Sequence, residues 1–377
     1  MIPCQRHLFS IPEGVSYLNC AYMSPLMHSV VEAGKAGLER KARPWEIRSA
    51  DFFNQADDLR AIASKFFHCS ANDIAIVPSA SYGLSVAAVN VPVQRGERIL
   101  VLDEQFPSNF YPWRRMAVEK GAEIVTVPWP EDGDWTTGVL RELKDGVALA
   151  ALPHTQWTSG GLLDLERIGE ACRQNGTAMA LDLTQSLGAY PFDVKKVQPD
   201  FAVAASYKWL LGPYSVGVLY VAPKWHEGRP LEENWISRDN AHDFSGLIAY
   251  TDGYLEGARR FDMGERSNFA LLPATIYAME QLLAWGVEQV SETVGALNRR
   301  LVEGAGKLGF SAVPEQFRAP HYLCLRPSDD PPKGLTQALR KEHVYVSMRG
   351  SSIRVTPHVY NSEQDIDHLL AVLRRTV

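Results

Sequence analysis

The sequence predicts a mixed α/β fold, in which helices flank a large, mostly parallel central sheet and a smaller α+β domain follows. Short apolar segments alternate with helical patterns through most of the chain, as in successive β-α-β units. Beyond about residue 250, two long helical segments precede short strands that alternate with helices. The length of 377 residues also exceeds what one ordinary core accommodates. We expect an N-terminal segment at 1–15, which packs near the active site or the small domain, a large domain at 16–255 and a small C-terminal domain at 256–377.

The predicted elements follow one another regularly along the chain. We predict strands at 73–79, 97–103, 122–128, 146–153, 176–183, 201–205 and 214–222. Helical spacing falls between them at 82–90, 107–121 and 164–176. The second region has predicted helices at 271–286, 287–309, 335–343 and 363–375, and strands at 321–327 and 351–357. Ligands of mostly parallel sheets bind beyond the carboxyl ends of the strands, so residues just after the strands are candidates for a site.

The composition is that of a globular protein, with 46% hydrophobic and 22% charged residues. The net charge is −6, and the charged residues are spread along the chain without a basic block. We therefore expect neither a nucleic-acid nor a membrane partner. Five cysteines lie far apart without a CxxC pair, which argues against a disulfide framework or a metal cluster and favours the reducing cytoplasm. The first residues lack the apolar core of a signal peptide. We therefore expect a cytoplasmic protein without a metal site.

The stretch SYKWLLGP at 206–213 places Lys208 between two apolar predicted strands. A buried ammonium is costly unless it is paired, neutralised or chemically modified. Asp182 follows the apolar run TAMAL, where an acid also needs a partner. Taken singly, Lys208 could be a lysine that reaches solvent from a strand end, and Asp182 could be a helix cap.

Two further features fall at predicted strand ends. The turn PSASYG at 78–83 leads into a helix whose first amides could bind a phosphate, or it is an ordinary capped turn. Phe106 could stack on a ring or pack in the core. Together with Lys208 and Asp182, these features supply a phosphate site, a stacking ring, an acid for a protonated ring nitrogen and an amine for a Schiff base. Those are the groups that hold pyridoxal 5'-phosphate (PLP).

The segment DLTQSLGAYPFDV, followed by SYKWLLGP, resembles the class V aminotransferase family of PLP enzymes, which has fold-type I. The family includes cysteine desulfurases, kynureninases and isopenicillin N epimerase-like proteins. The resemblance extends from YLNCAYMSPL at 17–26 to RVTPHVYNSEQDID at 354–367. It implies a fold-type I PLP-transferase whose large domain binds the cofactor.

The resemblance also implies roles for individual residues. Lys208 corresponds to the lysine that forms the internal aldimine, Asp182 to the acid that keeps the pyridine nitrogen protonated, and Gln185 to the group that hydrogen-bonds the phenolic oxygen. The other implied contacts are stacking by Phe106, phosphate binding by Ala80, Ser81 and Tyr207, and binding of the neighbouring subunit's phosphate by Ser267 and Asn268. Arg354 would clamp the substrate α-carboxylate, and Asn19 and Tyr22 are candidate substrate contacts.

These roles imply a homodimer with shared active sites. From the residues alone, Asn268 could equally be a loop residue, and Asn19 and Tyr22 could be packing residues. Arg349 leaves both a site role and a solvated charge open.

The function implied first is a class V aminotransferase that acts on an amino acid or an amine-bearing metabolite. A kynureninase-like or Cβ–S lyase is the second possibility, an epimerase is another, and a PLP-fold binding protein without turnover is the least favoured. Persulfide-forming desulfuration is disfavoured because VYVSMRGSSIRVTP contains no cysteine, and Cys324 lies in an apolar strand pattern. Core packing is favoured over an aromatic pocket for each of Trp113, Trp157 and Trp235.

Overall fold

The computed structural model describes residues 1–144, 146–329 and 334–376. The strands are β1 (Ser16–Tyr17), β2 (Ile74–Val77), β3 (Arg98–Leu102), β4 (Glu123–Val127), β5 (Val147–Pro153), β6 (Ala178–Asp182), β7 (Phe201–Ala205), β8 (Gly217–Val221), β9 (Phe310–Ser311), β10 (Leu323–Pro327), β11 (Val344–Tyr345), β12 (Ser347–Arg349) and β13 (Ser352–Val355). The helices are α1 (His28–Lys41), α2 (Asn54–Phe67), α3 (Ala80–Asn90), α4 (Tyr111–Lys120), α5 (Trp135–Glu142), α6 (Leu165–Asn175), α7 (Val194–Val197), α8 (Leu271–Trp285), α9 (Val287–Gly306), α10 (Leu335–Lys341) and α11 (Glu363–Thr376).

A seven-stranded sheet forms the centre of the chain, in the order β2-β8-β7-β6-β5-β3-β4. Strand β8 runs antiparallel to its neighbours β2 and β7, and the other pairings are parallel. The carboxyl ends of β2, β3, β5, β6 and β7 therefore lie at the same edge of the sheet. The predicted mostly parallel sheet flanked by helices is confirmed.

Two apolar layers cover the faces of this sheet. In β7, Val203 packs with Leu219 of β8 in one hydrophobic cluster, while Ala202 and Ala204 belong to the cluster on the other face. Alternate side chains of a strand point to opposite faces, and both faces here are buried. This explains why β7 reads as the continuous apolar run FAVAA rather than as an alternating pattern.

The C-terminal part of the chain contains a four-stranded antiparallel sheet in the order β12-β13-β10-β9. One face of it packs with α9, α10 and α11 around a third hydrophobic cluster, which includes Leu323, Ile353 and Val355. The opposite face carries Arg354, which pairs across the sheet with Cys324 and Ser347. The alternation of β13 thus directs this arginine away from the apolar cluster.

Connections between the parts of the chain bear on the expected domains. Helix α8 packs against α1 and α2, whereas the C-terminal half of α9 belongs to the third cluster. Near the N-terminus, Gln5 N donates to Val359 O at 2.8 Å, and Arg6 forms an ion pair with Asp365 at 3.3 Å. The boundaries at residues 15 and 255 stay predictions.

Across the described ranges, no helix has both the length and the apolar character that a membrane span requires.

Candidate active site

A cavity of about 190 Å³ opens at the carboxyl edge of the large sheet. It is lined by Pro78, Ser79, Ala80, Ser81, Gln105, Phe106, Ser108, Pro153, Thr155, Trp157, Asp182, Thr184, Gln185, Ala205, Tyr207, Lys208, Tyr214 and Ser215. These residues come from the ends of five strands, as expected for a mostly parallel sheet. The structure therefore brings together seven residues that the family resemblance predicted to bind the cofactor: Ala80, Ser81, Phe106, Asp182, Gln185, Tyr207 and Lys208.

Lys208 lies in the tight connection between β7 and β8. Leu211 N donates to Lys208 O at 3.1 Å, and Leu211 adopts a left-handed backbone with φ of +54°. Gly188 permits a close approach here, because its φ is +94° and a Cβ atom would lie 2.6 Å from Trp209 O. The Lys208 side chain is thereby buried, with Nζ 5.5 Å from the ring centroid of Phe106 and 5.4 Å from that of Tyr207.

The surroundings of Lys208 favour the neutral amine. Burial lowers its pKa to about 8, the negative charge of Asp182 opposes this change, and the positive charges of Arg354 and Arg349 lower the pKa further. Within the described part of the chain, no carboxylate lies within 4 Å of Lys208 Nζ. A larger share of this amine is therefore free near neutral pH than for an ordinary lysine, as a nucleophile or base requires.

Asp182 is the last residue of β6 and is buried. Its Oδ1 accepts a hydrogen bond from Thr184 N at 3.0 Å. Burial raises the pKa of Asp182, while the hydrogen bonds from Thr184 and the charge of Lys208 act in the opposite direction. In the ranges that the structure describes, no cation contacts the carboxylate within 4 Å. The carboxylate is suited to accept a hydrogen bond from a positively charged donor in the cavity.

Gln185 is held in a defined orientation. Its Oε1 accepts a hydrogen bond from Trp209 Nε1 at 3.0 Å, and its Nε2 donates to Ala21 O at 3.2 Å. His321 Nε2 lies 2.7 Å from Gln185 O. An amide nitrogen carries two hydrogens, so Gln185 retains one donor for a group in the cavity.

The start of α3 forms the turn expected to bind phosphate. Ser79 caps the helix by accepting from Tyr82 N at 3.2 Å, and the Ser79 and Ser81 hydroxyls lie 2.8 Å apart. The first amides of a helix lack partners within it, so Ala80 N and Ser81 N can bind an anion. Tyr207 faces the same cavity, and burial raises its pKa to about 12, which keeps its hydroxyl protonated as a donor.

Arg354 does not line the cavity but lies close enough to influence Lys208. It is fully buried on β13, where one guanidinium nitrogen donates to Tyr322 Oη at 3.2 Å and another to Ser347 Oγ at 3.4 Å. Ser347 Oγ in turn donates to Asn19 Oδ1 at 2.8 Å. The candidate substrate residues Arg354 and Asn19 thus belong to one hydrogen-bonded group.

The N-terminal segment around Asn19 packs against the connection between β7 and β8 that carries Lys208. Ser24 N donates to Tyr207 O at 3.0 Å, and the Cys20 thiol donates to Lys208 O at 3.6 Å. Tyr22, by contrast, is 57% exposed. The structure thus places Asn19, but not Tyr22, in the buried network.

Ser267 and Asn268 do not line the cavity of their own chain. Ser267 Oγ donates to Phe52 O, and Asn268 Oδ1 accepts from Leu271 N at 2.9 Å at the start of α8. Both residues line a separate groove of about 610 Å³ with Trp235. Their assignment to a neighbouring subunit's site stays a prediction.

Several lining residues escaped sequence reasoning. The interpretation of Trp157 as a core residue is wrong, because it lines the cavity. The centroid of its ring lies 5.4 Å from that of Phe106. Trp113 is fully buried in the core as expected, whereas the interpretation of Trp235 as a core residue is also wrong, because it is 40% exposed and lines the groove beside Ser267. Thr155, Thr184 and Tyr214 were also missed, although Thr155 comes shortly after the strand predicted at 146–153.

None of the five cysteines lines the cavity. Cys324 is buried on β10, and burial raises the pKa of its thiol to about 12. Cys20 is also fully buried, and burial raises its pKa above the ordinary range. A thiol of this kind is a poor nucleophile, which agrees with the interpretation of Cys324 as a structural residue.

Comparison with known proteins places this architecture in a family. The sequence profile described as "Aminotransferase class-V" matches residues 17–233, which is more than half of the chain and includes the loop of Lys208. The chain belongs to the class V aminotransferase family. Proteins of this family use PLP, so the expected cofactor and the expected fold-type I architecture are confirmed at the level of the family.

Individual relatives of this class V protein differ in the activity that their names record. It is 25% identical to an uncharacterized aminotransferase, YcbU, of Bacillus subtilis (strain 168), over 81% of this chain and 80% of the relative. It is 23% identical to a kynureninase of Shouchella clausii (strain KSM-K16), over 93% of this chain and 82% of the relative. The apo structure of a cysteine desulfurase from Thermococcus onnurineus NA1 superposes with a TM-score of 0.87 at 20% identity, covering 100% of this chain and 98% of that chain.

The residues of the class V cavity fit PLP. Thr155 Oγ1 is buried at the cavity wall and, among the described residues, has no hydrogen-bond partner. A carboxylate without a cation partner, a helix N-terminus and a lysine amine face the same space. These groups complement a hydroxyl-bearing, protonated, phosphorylated aldehyde such as PLP.

Proposed function

We propose that the protein is a PLP-dependent aminotransferase that acts on an amino acid or a related amine. The observation that carries this proposal is the Lys208 amine, which is buried between Phe106 and Tyr207 beside the carboxylate of Asp182. Transamination needs one group that can move a proton to and from the substrate Cα. Lys208 is suited to this task because burial lowers its pKa to about 8.

The other residues have separate tasks in this proposal. Bound PLP supplies an electron-accepting ring that stabilises negative charge at the substrate Cα. Asp182 would hold a proton on the ring nitrogen, and Gln185 would donate to the phenolic oxygen. The turn at Ala80 and Ser81 would bind the phosphate together with the Tyr207 hydroxyl. Phe106 would pack against the ring face.

Arg354 would bind the substrate α-carboxylate. Its guanidinium is fully buried, and its Nε has no partner in the described ranges. A bidentate guanidinium orients a carboxylate and thus sets the position of the neighbouring Cα relative to Lys208. Asn19 supports Arg354 through Ser347.

A lyase is the second candidate, and the similarity to a kynureninase supports it. Elimination and Cα–Cβ cleavage use the same base and the same electron sink, but they also need a leaving group on the substrate. Epimerisation needs only return of the proton to the other face of Cα. Persulfide-forming desulfuration is disfavoured despite the similarity to a cysteine desulfurase, since no cysteine of the described ranges lines the cavity.

We also propose a homodimer with shared sites. Ser267 and Asn268 face a groove away from their own cavity, and the aromatic side chains of Trp45 and Tyr250 are 78% and 98% exposed. Large exposed apolar side chains of this kind are common at subunit interfaces. Sedimentation of the purified protein tests this proposal directly. A cytoplasmic location also stays a prediction.

The first experiment establishes where the cofactor binds. The purified protein is loaded with PLP and treated with borohydride, and its peptides are analysed by mass spectrometry. The proposal predicts a reduced cofactor adduct on Lys208, which Lys208→Ala abolishes and the exposed-lysine control Lys196→Ala retains. Absence of an adduct on Lys208 would contradict the proposal.

The second experiment identifies the reaction. The PLP-loaded protein is mixed with one amino acid at a time, and its absorbance and products are followed. Conversion of bound PLP to pyridoxamine phosphate, reversed by a keto acid, would establish transamination. Release of a fragment of the substrate with PLP regenerated would establish a lyase. A bound cofactor that no amino acid changes would favour a binding protein without turnover.

A further inference from the structure

Arg349 and Arg354 lie on the same face of the small sheet. In the β12–β13 hairpin, Arg349 pairs with Ser352 and Ser347 pairs with Arg354. Directly paired residues share a face in antiparallel strands, as do residues two apart in one strand. The arginines are therefore diagonal neighbours, whose Cβ atoms in such a pairing are about 7–8 Å apart. The residues between them, Met348 and Ile353, pack with the apolar cluster on the other face.

Neither arginine has an acidic partner. Within the described ranges, no carboxylate lies within 4 Å of either guanidinium group. Arg349 donates to Met348 O at 2.6 Å, and the Nε atoms of Arg349 and Arg354 are both buried without a hydrogen-bond partner. Burial lowers the pKa of Arg349, and the charge of Arg354 lowers it further. Two adjacent positive charges with unused donors favour binding of anions.

A chain of contacts connects Arg349 to the cavity. Its guanidinium lies 5.3 Å from the ring centroid of Trp157, which lines the cavity wall. Tyr322 Oη donates to Trp157 O at 2.7 Å and accepts from Arg354 at 3.2 Å. Trp157 Nε1 donates to Glu104 O at 2.6 Å, which fixes the indole ring. Arg349 and Arg354 are thus both held near Trp157, a residue of the cavity wall.

The charges of the site leave one cation without a partner. Among the described side chains, the positive charges of Arg349 and Arg354 and the carboxylate of Asp182 act on Lys208. The carboxylate of Glu104, next to Trp157, already accepts a hydrogen bond from Thr158 Oγ1 at 2.7 Å. In the proposed function, Lys208 would hold the cofactor and the start of α3 would bind its phosphate. The substrate α-carboxylate then pairs with Arg354. Arg349 remains for a second anionic group.

We propose that the substrate is an amino acid whose side chain carries an anionic group, and that Arg349 binds this group while Arg354 binds the α-carboxylate. This inference rests on the proposed function, since it places the substrate in the same site. It assigns the substrate class to amino acids with two acidic groups. It also makes Arg349 the residue that selects them against their neutral amides.

Unreactive ligands test this inference without turnover. Isothermal titration calorimetry compares succinate, which has two carboxylates, with succinamate, its neutral-ended monoamide, on the PLP-loaded protein. We expect succinate to bind at least about tenfold more tightly, because a charged hydrogen-bond pair is replaced by a neutral one. In Arg349→Gln this preference should fall to within about threefold, whereas Arg349→Lys should retain part of it.

Arg326→Gln is the matched control. Arg326 lies in the same sheet, is exposed, and stacks over Trp129 at 4.6 Å, away from the cavity. Arg326→Gln removes one positive charge and one cation–aromatic contact, as Arg349→Gln does. The Arg326→Gln variant should nevertheless prefer succinate over succinamate as strongly as the unmodified protein does. Turnover of L-aspartate and L-glutamate against L-asparagine and L-glutamine should follow the same pattern.

The outcomes separate this inference from the proposed function. Equal binding of succinate and succinamate by the unmodified protein would overturn the inference, as would an equal loss for both ligands in Arg349→Gln, which would mean that both arginines bind one carboxylate. Absence of the Lys208 adduct would overturn the proposed function regardless of the succinate result. A preference lost in Arg349→Gln and kept in Arg326→Gln would support the inference.

Discussion

Trp209, the residue after Lys208, donates a hydrogen bond of 3.0 Å from its Nε1 to Gln185 Oε1. An indole nitrogen can only donate, so the partner atom must be the amide oxygen. Gln185 Nε2 consequently faces Ala21 O and the cavity. Trp209 therefore orients Gln185 so that its amide nitrogen, rather than its carbonyl oxygen, is directed to the cavity.

The first prediction concerns this bond. Trp209→Phe keeps an aromatic ring against His321, whose centroid lies 4.5 Å away, but it leaves the Gln185 carbonyl without its donor. We expect PLP affinity to fall about tenfold, because an unpaired buried acceptor costs about 1–3 kcal/mol. The dissociation constant is measured by titrating the apoprotein with PLP.

Trp113→Phe provides the control for the first prediction. Trp113 Nε1 also makes a buried bond of 3.0 Å to an amide oxygen, that of Asn109, but it does not line the cavity. The two variants should lose similar stability, and only Trp209→Phe should lose PLP affinity. Equal affinities would show that the orientation of Gln185 does not affect the cofactor.

The second prediction concerns Asp182. In Asp182→Asn the side-chain oxygen can still accept from Thr184 N, so the variant should fold and bind some PLP. Turnover should fall by about a hundredfold to a thousandfold, because the charge that stabilises a protonated ring nitrogen is lost. Asp182→Ala should likewise retain some PLP and lose nearly all turnover. Steady-state kinetics at saturating PLP measure the effect, and wild-type turnover would remove Asp182 from the mechanism.

The third prediction is a pH dependence. Since burial lowers the pKa of Lys208 to about 8, the rate at which the apoprotein attaches PLP should rise about tenfold per pH unit below that value and then level off. Asp182 opposes the change, so Asp182→Asn should move the midpoint to lower pH. Stopped-flow absorbance provides the rates. A midpoint at the ordinary lysine value of 10.5 would contradict the buried environment.

The fourth prediction concerns substrate binding by Arg354. Arg354→Gln removes the charged donors from a buried position, and we expect KM for amino acids to rise about a hundredfold. Amines that lack the carboxylate should react equally well with both proteins, which provides the internal control. An unchanged KM for amino acids would place the carboxylate elsewhere.

The fifth prediction concerns a buried charge cluster next to the Ser267 segment. Asp262 forms ion pairs with Arg60 and, at 3.1 Å, with Arg266, and all three side chains are buried. Asp262→Asn should destabilise the fold by about 3–5 kcal/mol, because two buried guanidiniums lose the charge of their shared carboxylate and Arg60 keeps only a longer ion pair, of 3.4 Å, with the half-exposed Asp57. Thermal unfolding measures the loss.

Asp367→Asn is the matched control for the fifth prediction. Asp367 also binds an arginine through two hydrogen bonds, of 2.9 and 2.8 Å to Arg300, but both residues are exposed. Solvent screens such a pair, so the melting temperature of Asp367→Asn should hardly differ from that of the unmodified protein. Similar losses in the two variants would contradict the importance of burial.

The sequence was informative where burial and charge conflict. Asp182 stands out because it ends an apolar strand, and Lys208 because it lies between two apolar strands. Such positions fall at the binding edge of a mostly parallel sheet. Their selection needed no knowledge of long-range packing. The order of strands and helices around them was predicted from the alternation of apolar runs and helical spacing.

Other residues could not be selected in this way. Trp157 lies in a connection after β5, and a lone tryptophan in a sequence is compatible with either core or cavity. The role of Arg349 depends on the cross-strand register with Ser352 and on the position of Trp157, which is distant in the chain. Side chains joined by tertiary contacts carry no local signal of their partnership.

The β12–β13 hairpin has a consequence for natural or engineered variation. Only Gly350 and Ser351 separate the paired residues Arg349 and Ser352, and Gly350 has a φ of +54°. A one-residue insertion that shifted the pairing would turn the apolar side chains of one strand toward the cavity and its arginine toward the core. If Arg349 selects the substrate as proposed, substitutions at this hairpin would alter the preference gradually, whereas a change in its length would exchange the two faces in a single step.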